Sequence, residues 1–289
     1  MLVTISAFRL GIRRSWSVMT MLAALAAPPA TGAQVATGSS TQTIVSGGIE
    51  RSYLLYVPDG YAGRALPLVL NFHGSGGVPQ NQVATSGFDA LADREGFAVA
   101  YPAGMFANTV SERSWNANVE PGVDDVQFAR DVIDDVSAKL RVDASRIYAT
   151  GFSGGARMTS RLACELADRL AAAAPVAGLQ YPDGCTPVRA VPIVAFHGKA
   201  DRVNQYERTA DSRPYWHMGV ETALEKWRAA DGCAGKAEVS EVSAEVELRV
   251  WPSCNNGAEL RIYVDADDDH VWPQGASERI WEFFRHHSR

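Results

Sequence analysis

Short apolar runs alternate with amphipathic segments along most of this chain. "RSYLLYVP" (51–58) and "LPLVLNFH" (66–73) read as strands with "DGYAGRA" as the turn between them. Residues 82–94 read as a helix, and "FAVAYP" (97–102) as a short buried strand. Over 124–140, Val126, Ala129, Ile133, Val136 and Leu140 recur every three or four positions, with Asp124 or Asp125 as N-cap, which predicts a helix. "RIYAT" (146–150) is a strand and "GARMTSRLACELADRL" a helix. "AAAAPVAG" (171–178) and "VPIVAFHG" (191–198) are buried strands. A helix near 217–230, a strand pair at about 244–251 and 258–265, and a last helix at 277–286 complete the chain. Apolar strands separated by amphipathic helices predict the α/β class: a mostly parallel central sheet with helices on both faces. No internal repeat or Pro/Ser-rich linker divides residues 45–289, which read as one domain.

The N-terminus breaks this pattern. Arg9, Arg13 and Arg14 precede the apolar "WSVMTMLAALAA", and "PPATGA" follows with Thr31 and Ala33 placed for cleavage. Residues 1–33 therefore read as a secretory signal, and 34–44 as a loose leader. The apolar run of about 12 residues falls short of the ~20 that span a bilayer, so no membrane association is expected after cleavage. From Gln34 on there are 24 basic and 33 acidic residues, a net charge of −9. Such a surface repels phosphate, which excludes a nucleic-acid partner. Export, to the periplasm or the medium, also changes the reading of Cys164, Cys185, Cys233 and Cys254. None is spaced as CxxC, so no metal is expected. An even count in an oxidising compartment predicts two disulfides. Of three pairings, Cys164–Cys185 with Cys233–Cys254 is favoured, because each closes a short local loop.

The candidate chemistry centres on "YATGFSGGARMT" (148–159). A strand, then Gly151-Phe152-Ser153-Gly154-Gly155, then a helix is the setting of a nucleophile elbow. Gly151 and Gly155 carry no Cβ to obstruct a tight corner, and the helix N-terminus favours a developing oxyanion. Serine needs a histidine base held by a carboxylate, in the chain order Ser, acid, His. "VPIVAFHGKADRV" runs a buried strand into Asp201, the candidate acid. His73 and His197 precede it, His217 follows too closely, and His286 and His287 lie in the tail. That leaves His270, in the loop "DADDDHVWP". The second oxyanion donor, beside Gly154 N–H, is assigned to Ser75 N–H in "NFHGSGG". Trp115 and Trp272 are candidates for stacking on a flat substrate group, and the polar stretch 203–216 is read as lining the entrance.

"HGSGG", "DDVQF", "GFSGGARM", "FHGKAD" and "HVWP" occur in this order, and over about residues 45–285 the chain resembles the secreted esterases that include feruloyl esterases and polyhydroxybutyrate-depolymerase-like enzymes. The resemblance implies an α/β-hydrolase fold, a Ser153–Asp201–His270 triad and cysteines paired as above. The function it implies is a secreted serine esterase, feruloyl esterase-like, acting on acyl or phenolic esters of cell-wall xylan without metal or cofactor. The alternatives are a polyhydroxyalkanoate depolymerase acting on a polyester and a non-catalytic binding module on the same fold. The complete ordered triad argues against the last, and no apolar insertion suggests a lipase lid. One departure stands out: the family's histidine usually follows glycines, whereas His270 follows Asp267, Asp268 and Asp269. By charge alone, that negative field favours imidazolium.

Overall fold

A computed structural model of the 289-residue chain describes residues 1–4, 11, 36–108, 112–118 and 121–289. Apart from residues 1–4 and 11, the segment read as a signal lies outside the described residues. Among the described residues ten strands form one sheet: β1 (Gly38–Ser46), β2 (Ile49–Val57), β3 (Leu66–Phe72), β4 (Ala98–Pro102), β7 (Val142–Phe152), β8 (Ala172–Val176), β9 (Ile193–Gly198), β10 (Glu238–Glu241), β11 (Val246–Trp251) and β12 (Leu260–Asp265). Across the sheet they lie in the order β1-β2-β4-β3-β7-β8-β9-β12-β11-β10. β5 (Phe106–Asn108) and β6 (Glu112–Ser114) pair apart as an antiparallel hairpin. The centre, from β4 to β12, is parallel, and both margins are antiparallel.

Among the described residues six helices cover the sheet: α1 (Pro79–Ser86), α2 (Phe88–Glu95), α3 (Asp125–Lys139), α4 (Gly154–Glu165), α5 (Val220–Ala230) and α6 (Ala276–Arg285). The period-2 side-chain alternation of strands divides the core by sheet face. Leu68, Leu70 and Phe72 of β3 join Phe128 and Ile133 of α3 and Leu162 of α4. Val69 of the same strand faces the other way, with Phe88 of α2 and Ile280 and Trp281 of α6. A third cluster lies under α5, where Trp227 meets Ile193 and Ala195 of β9. Because β3, β8 and β9 are buried along their whole length, they read as apolar runs, broken only near their ends by Asn71 and His197.

Several expectations are corrected. The leader assigned to 34–44 is strand from Gly38 on, paired along its length with β2. The single helix expected over 82–94 is two, because Gly87 takes φ 61° and closes α1 before α2 begins. The "DGYAGRA" turn does not join neighbouring strands, since β4 lies between β2 and β3. The cysteines pair as expected, Cys164–Cys185 and Cys233–Cys254.

Candidate active site

The sheet order brings the motifs together. From β3 the chain steps outward to β4, then returns to β3's other side with β7 and continues outward through β8 and β9. Loops leaving β3 and β7 therefore open a crevice at the carboxyl ends of the strands, where order reverses. β3 and β7 run parallel with Phe72 opposite Gly151, so the Ser75 loop and the Ser153 turn emerge side by side. β9 and β12 run parallel with Gly198 opposite Asp265, which sets the Asp201 and His270 loops next to each other.

Ser153 occupies the corner between β7 and α4 with φ 55° and ψ −113°, a strained conformation for a residue with a Cβ. Its surroundings permit nothing larger than glycine. A Cβ on Gly151 would lie 2.6 Å from the Gly155 carbonyl oxygen, and one on Gly178 would lie 2.5 Å from that of Ser153. A Cβ on Gly155 would overlap the Phe72 carbonyl. The Ser153 N–H donates to Val176 O at 2.9 Å, which fixes the turn to β8.

Ser153, His270 and Asp201, separated by up to 117 positions in sequence, form one hydrogen-bonded line. His270 Nδ1 lies 2.8 Å from Asp201 Oδ2, and Nε2 lies 2.7 Å from Ser153 Oγ. A carboxylate only accepts, so Nδ1 carries the proton and Nε2 is left to accept from the serine hydroxyl. Asp201 is itself held. Its Oδ1 accepts from the N–H groups of Val203 and Asn204, both at 2.8 Å. Burial opposes its ionisation, but hydrogen bonding from His197 and His270 outweighs it and keeps the carboxyl well below the usual carboxylate range. The Phe152 ring packs against the imidazole, centroids 4.9 Å apart.

Ser75 and Gly154 also come together: a Cβ on Gly154 would lie 3.0 Å from Ser75 N. Among the described residues neither N–H has a hydrogen-bond acceptor, so two donors converge beside Ser153. The loop carrying Ser75 is braced by His73. His73 Nδ1–H donates to Gly74 O at 2.7 Å, while Nε2 accepts from Gly104 N–H at 3.0 Å. Burial lowers the pKa of His73 to about 4, so the ring stays neutral and keeps both bonds.

Other residues depart from the reading of the sequence. Trp115 is buried, not in the cleft: its Nε1–H donates to His73 O at 2.7 Å and its ring packs on Phe72. Trp272 is half-buried, its Nε1–H bonded to Ser277 Oγ and its ring edge-on to Phe88. Only Asp124 caps α3. Asp125 makes a buried ion pair with Arg51 at 2.8 Å and accepts from Asn116 N–H. His197, set aside by chain order as the base, lies 3.4 Å from Asp201 and hydrogen-bonds to Asn204 O. The field of the three aspartates is partly offset, because Asp269 is bound by the Arg202 guanidinium and backbone N–H. Within 203–216, Tyr206 and Trp216 are buried.

A family model described as "Esterase PHB depolymerase" matches residues 51–230. The chain belongs to the Esterase PHB depolymerase family. Among its relatives, feruloyl esterase B of Piromyces equi is 31% identical over 251 residues, covering 82% of this chain and 45% of that protein. A bifunctional acetylxylan esterase/xylanase of Neocallimastix patriciarum is 27% identical over 82% of this chain and 33% of its own length. Poly(3-hydroxyalkanoate) depolymerase C of Paucimonas lemoignei is 34% identical over 44% of this chain and 31% of its own length. This family member thus spans less than half the length of these relatives. The acetyl xylan esterase from Aspergillus awamori superposes with a TM-score of 0.65 at 18% identity, over 85% of this chain and 99% of that one. That likeness identifies the fold as the α/β-hydrolase fold.

Proposed function

We propose that this chain is an exported serine carboxylic-ester hydrolase, feruloyl esterase-like, acting on acyl or phenolic esters of xylan. The observation that carries the proposal is the unbroken line Asp201–His270–Ser153 beside the convergent N–H groups of Ser75 and Gly154. In this reading His270 Nε2 takes the Ser153 proton as Oγ attacks the ester carbonyl. Asp201 orients the imidazole and stabilises the imidazolium that forms. The two N–H groups receive the oxyanion, each worth roughly 3 kcal/mol in the transition state. His270 then protonates the departing alcohol, and water repeats the sequence on the acyl-enzyme. The relatives named for feruloyl and acetylxylan ester hydrolysis support xylan as the polymer. Export with cleavage after Ala33 is part of the proposal, and the two disulfides support an oxidising destination.

The second reading, hydrolysis of polyhydroxyalkanoate, is favoured by the relative of that name. A panel of methyl ferulate, acetylated xylan, p-nitrophenyl acetate and hydroxybutyrate oligomers separates the two. The xylan reading predicts turnover of the first three, lost by about 10⁴-fold or more in Ser153→Ala. Rapid cleavage of the oligomers with none of methyl ferulate reverses the ranking.

A further inference from the structure

α4, which begins at the candidate nucleophile, carries two arginines one turn apart on one face. Arg157 and Arg161 are 7% and 6% exposed, so both guanidinium groups are largely removed from water. Arg161 is fully accounted for: Glu165 Oε1 accepts from its Nε at 2.6 Å, and the Asn116 carbonyl accepts from Nη1. Arg157 has no such partners. Among the described residues no carboxylate pairs with it, and its buried Nε has no hydrogen-bond acceptor. Among the described residues its stabilising contact is the Tyr215 ring, 4.3 Å from Cζ. A cation over an aromatic face gains roughly 0.5–2 kcal/mol, less than the several kcal/mol that burying an unpaired ion costs. A water could accept a hydrogen bond but could not balance the charge.

Arg157 faces a narrow crevice whose other walls include Ala117 and Asn118, Gln180 and Tyr181, and His217. These residues come from three loops that also serve the candidate active site. The first follows β6, whose last residue Ser114 has its Oγ 3.1 Å from Ser75 Oγ. The second contains Gly178, set against the Ser153 carbonyl. The third begins at Asp201. The nearest acid in the lining, Asp183, is exposed and lies 3.6 Å from His217. The crevice measures about 10 Å³, room for one oxygen atom of a ligand and not for an aromatic ring. Along α4, four residues rise roughly 6 Å, so Arg157 stands one turn beyond Ser153.

We propose that Arg157 is the base of a substrate subsite that receives a carboxylate borne by the same molecule as the scissile ester. The subsite rests on the esterase reading of Ser153 and, among the esters that serine cleaves, favours half-esters, ester-linked hydroxy acids and esters of acidic sugars over their neutral counterparts. Burial lowers the pKa of Arg157, so an anion brought against the guanidinium would relieve the cost of burying its charge.

Two matched pairs test the proposal and separate the two ends of the ester. 4-Nitrophenyl hydrogen glutarate against 4-nitrophenyl methyl glutarate places the carboxylate on the acyl side. 4-Acetoxybenzoate against methyl 4-acetoxybenzoate places it on the alcohol side. In at least one pair, the wild-type kcat/KM ratio of charged to neutral ester should be about tenfold or more, expressed mainly in KM. That ratio should fall towards one in Arg157→Gln and be partly kept in Arg157→Lys, which preserves the charge should the glutamine variant not fold. A wild-type ratio at or below one in both pairs overturns the subsite, as does a ratio unchanged by either substitution. Failure to hydrolyse any of the four overturns the reading of Ser153 itself, and the subsite with it.

Discussion

Arg202 and Asp269 are neighbours of the candidate acid and base, and their ion pair ties the two loops together. Asp269 Oδ1 accepts from both Arg202 N–H and His270 N–H, and Oδ2 accepts from Arg202 Nε at 2.7 Å. The bonds from Arg202 hold the Asp269 carboxyl below its ordinary range. Removing the guanidinium unties the acid loop from the base loop. Arg202→Ala should therefore lower kcat/KM by a few-fold, the small effect expected of an exposed pair, and the loss should shrink at high salt, where the wild-type pair is itself screened. Equal kcat/KM for wild type and variant at low ionic strength would contradict this. At this scale the sequence was partly legible. Ser153, Asp201 and His270 stand out by local context and chain order. Trp115 does not, because an aromatic residue near a motif looks the same in sequence whether it meets substrate or, as here, donates inward to His73 O. Likewise, adjacent Asp124 and Asp125 are told apart by partners outside the helix, chief among them Arg51, 74 positions away.

Elements with one buried stripe or an unbroken apolar run were readable, and those that cover nothing were not. β8 and β9 are buried throughout and announce themselves. β10, "EVSE", is exposed at every position and carries no periodic signal. α5 contributes a pH dependence of its own through Asp231 at its C-terminus. This side chain is 2% exposed, and burial raises its pKa to about 7. A carboxyl raised in the folded state contributes stability that is complete below its unfolded pKa of about 4 and is lost as pH rises through 7. Asp201, held low, has the opposite sign: its contribution is present above pH ~4 and lost as pH falls. Asp231→Asn should therefore be more stable than wild type at pH 8, with the gap closing towards pH 4, as read by urea unfolding. An equal deficit at both pH values would contradict the assignment. The Cys164–Cys185 bridge pins α4 to the loop after β8 across 21 positions. Cys164→Ala/Cys185→Ala should lose about 3 kcal/mol of unfolding free energy, and an unchanged urea midpoint would contradict that.

Over the whole molecule, the sheet order converts scattered motifs into a site. The alternation of strands and helices indicated a parallel sheet, but not that β4 separates β2 from β3, nor that β12 lies beside β9. Those neighbours depend on pairing between distant segments, which no local window contains. They matter because the β3–β7 pair sets the candidate oxyanion donors beside the serine, and the β9–β12 pair sets the acid beside the base. The central claim is that these pairings make one hydroxyl among many reactive. Its most direct test is intact-protein and peptide mass spectrometry after treatment with phenylmethylsulfonyl fluoride. The account predicts one sulfonyl adduct per chain, located on Ser153, appearing in step with loss of esterase activity and strongly slowed in His270→Ala. An unmodified Ser153 in fully inactivated protein, or labelling at an undiminished rate without His270, would contradict it.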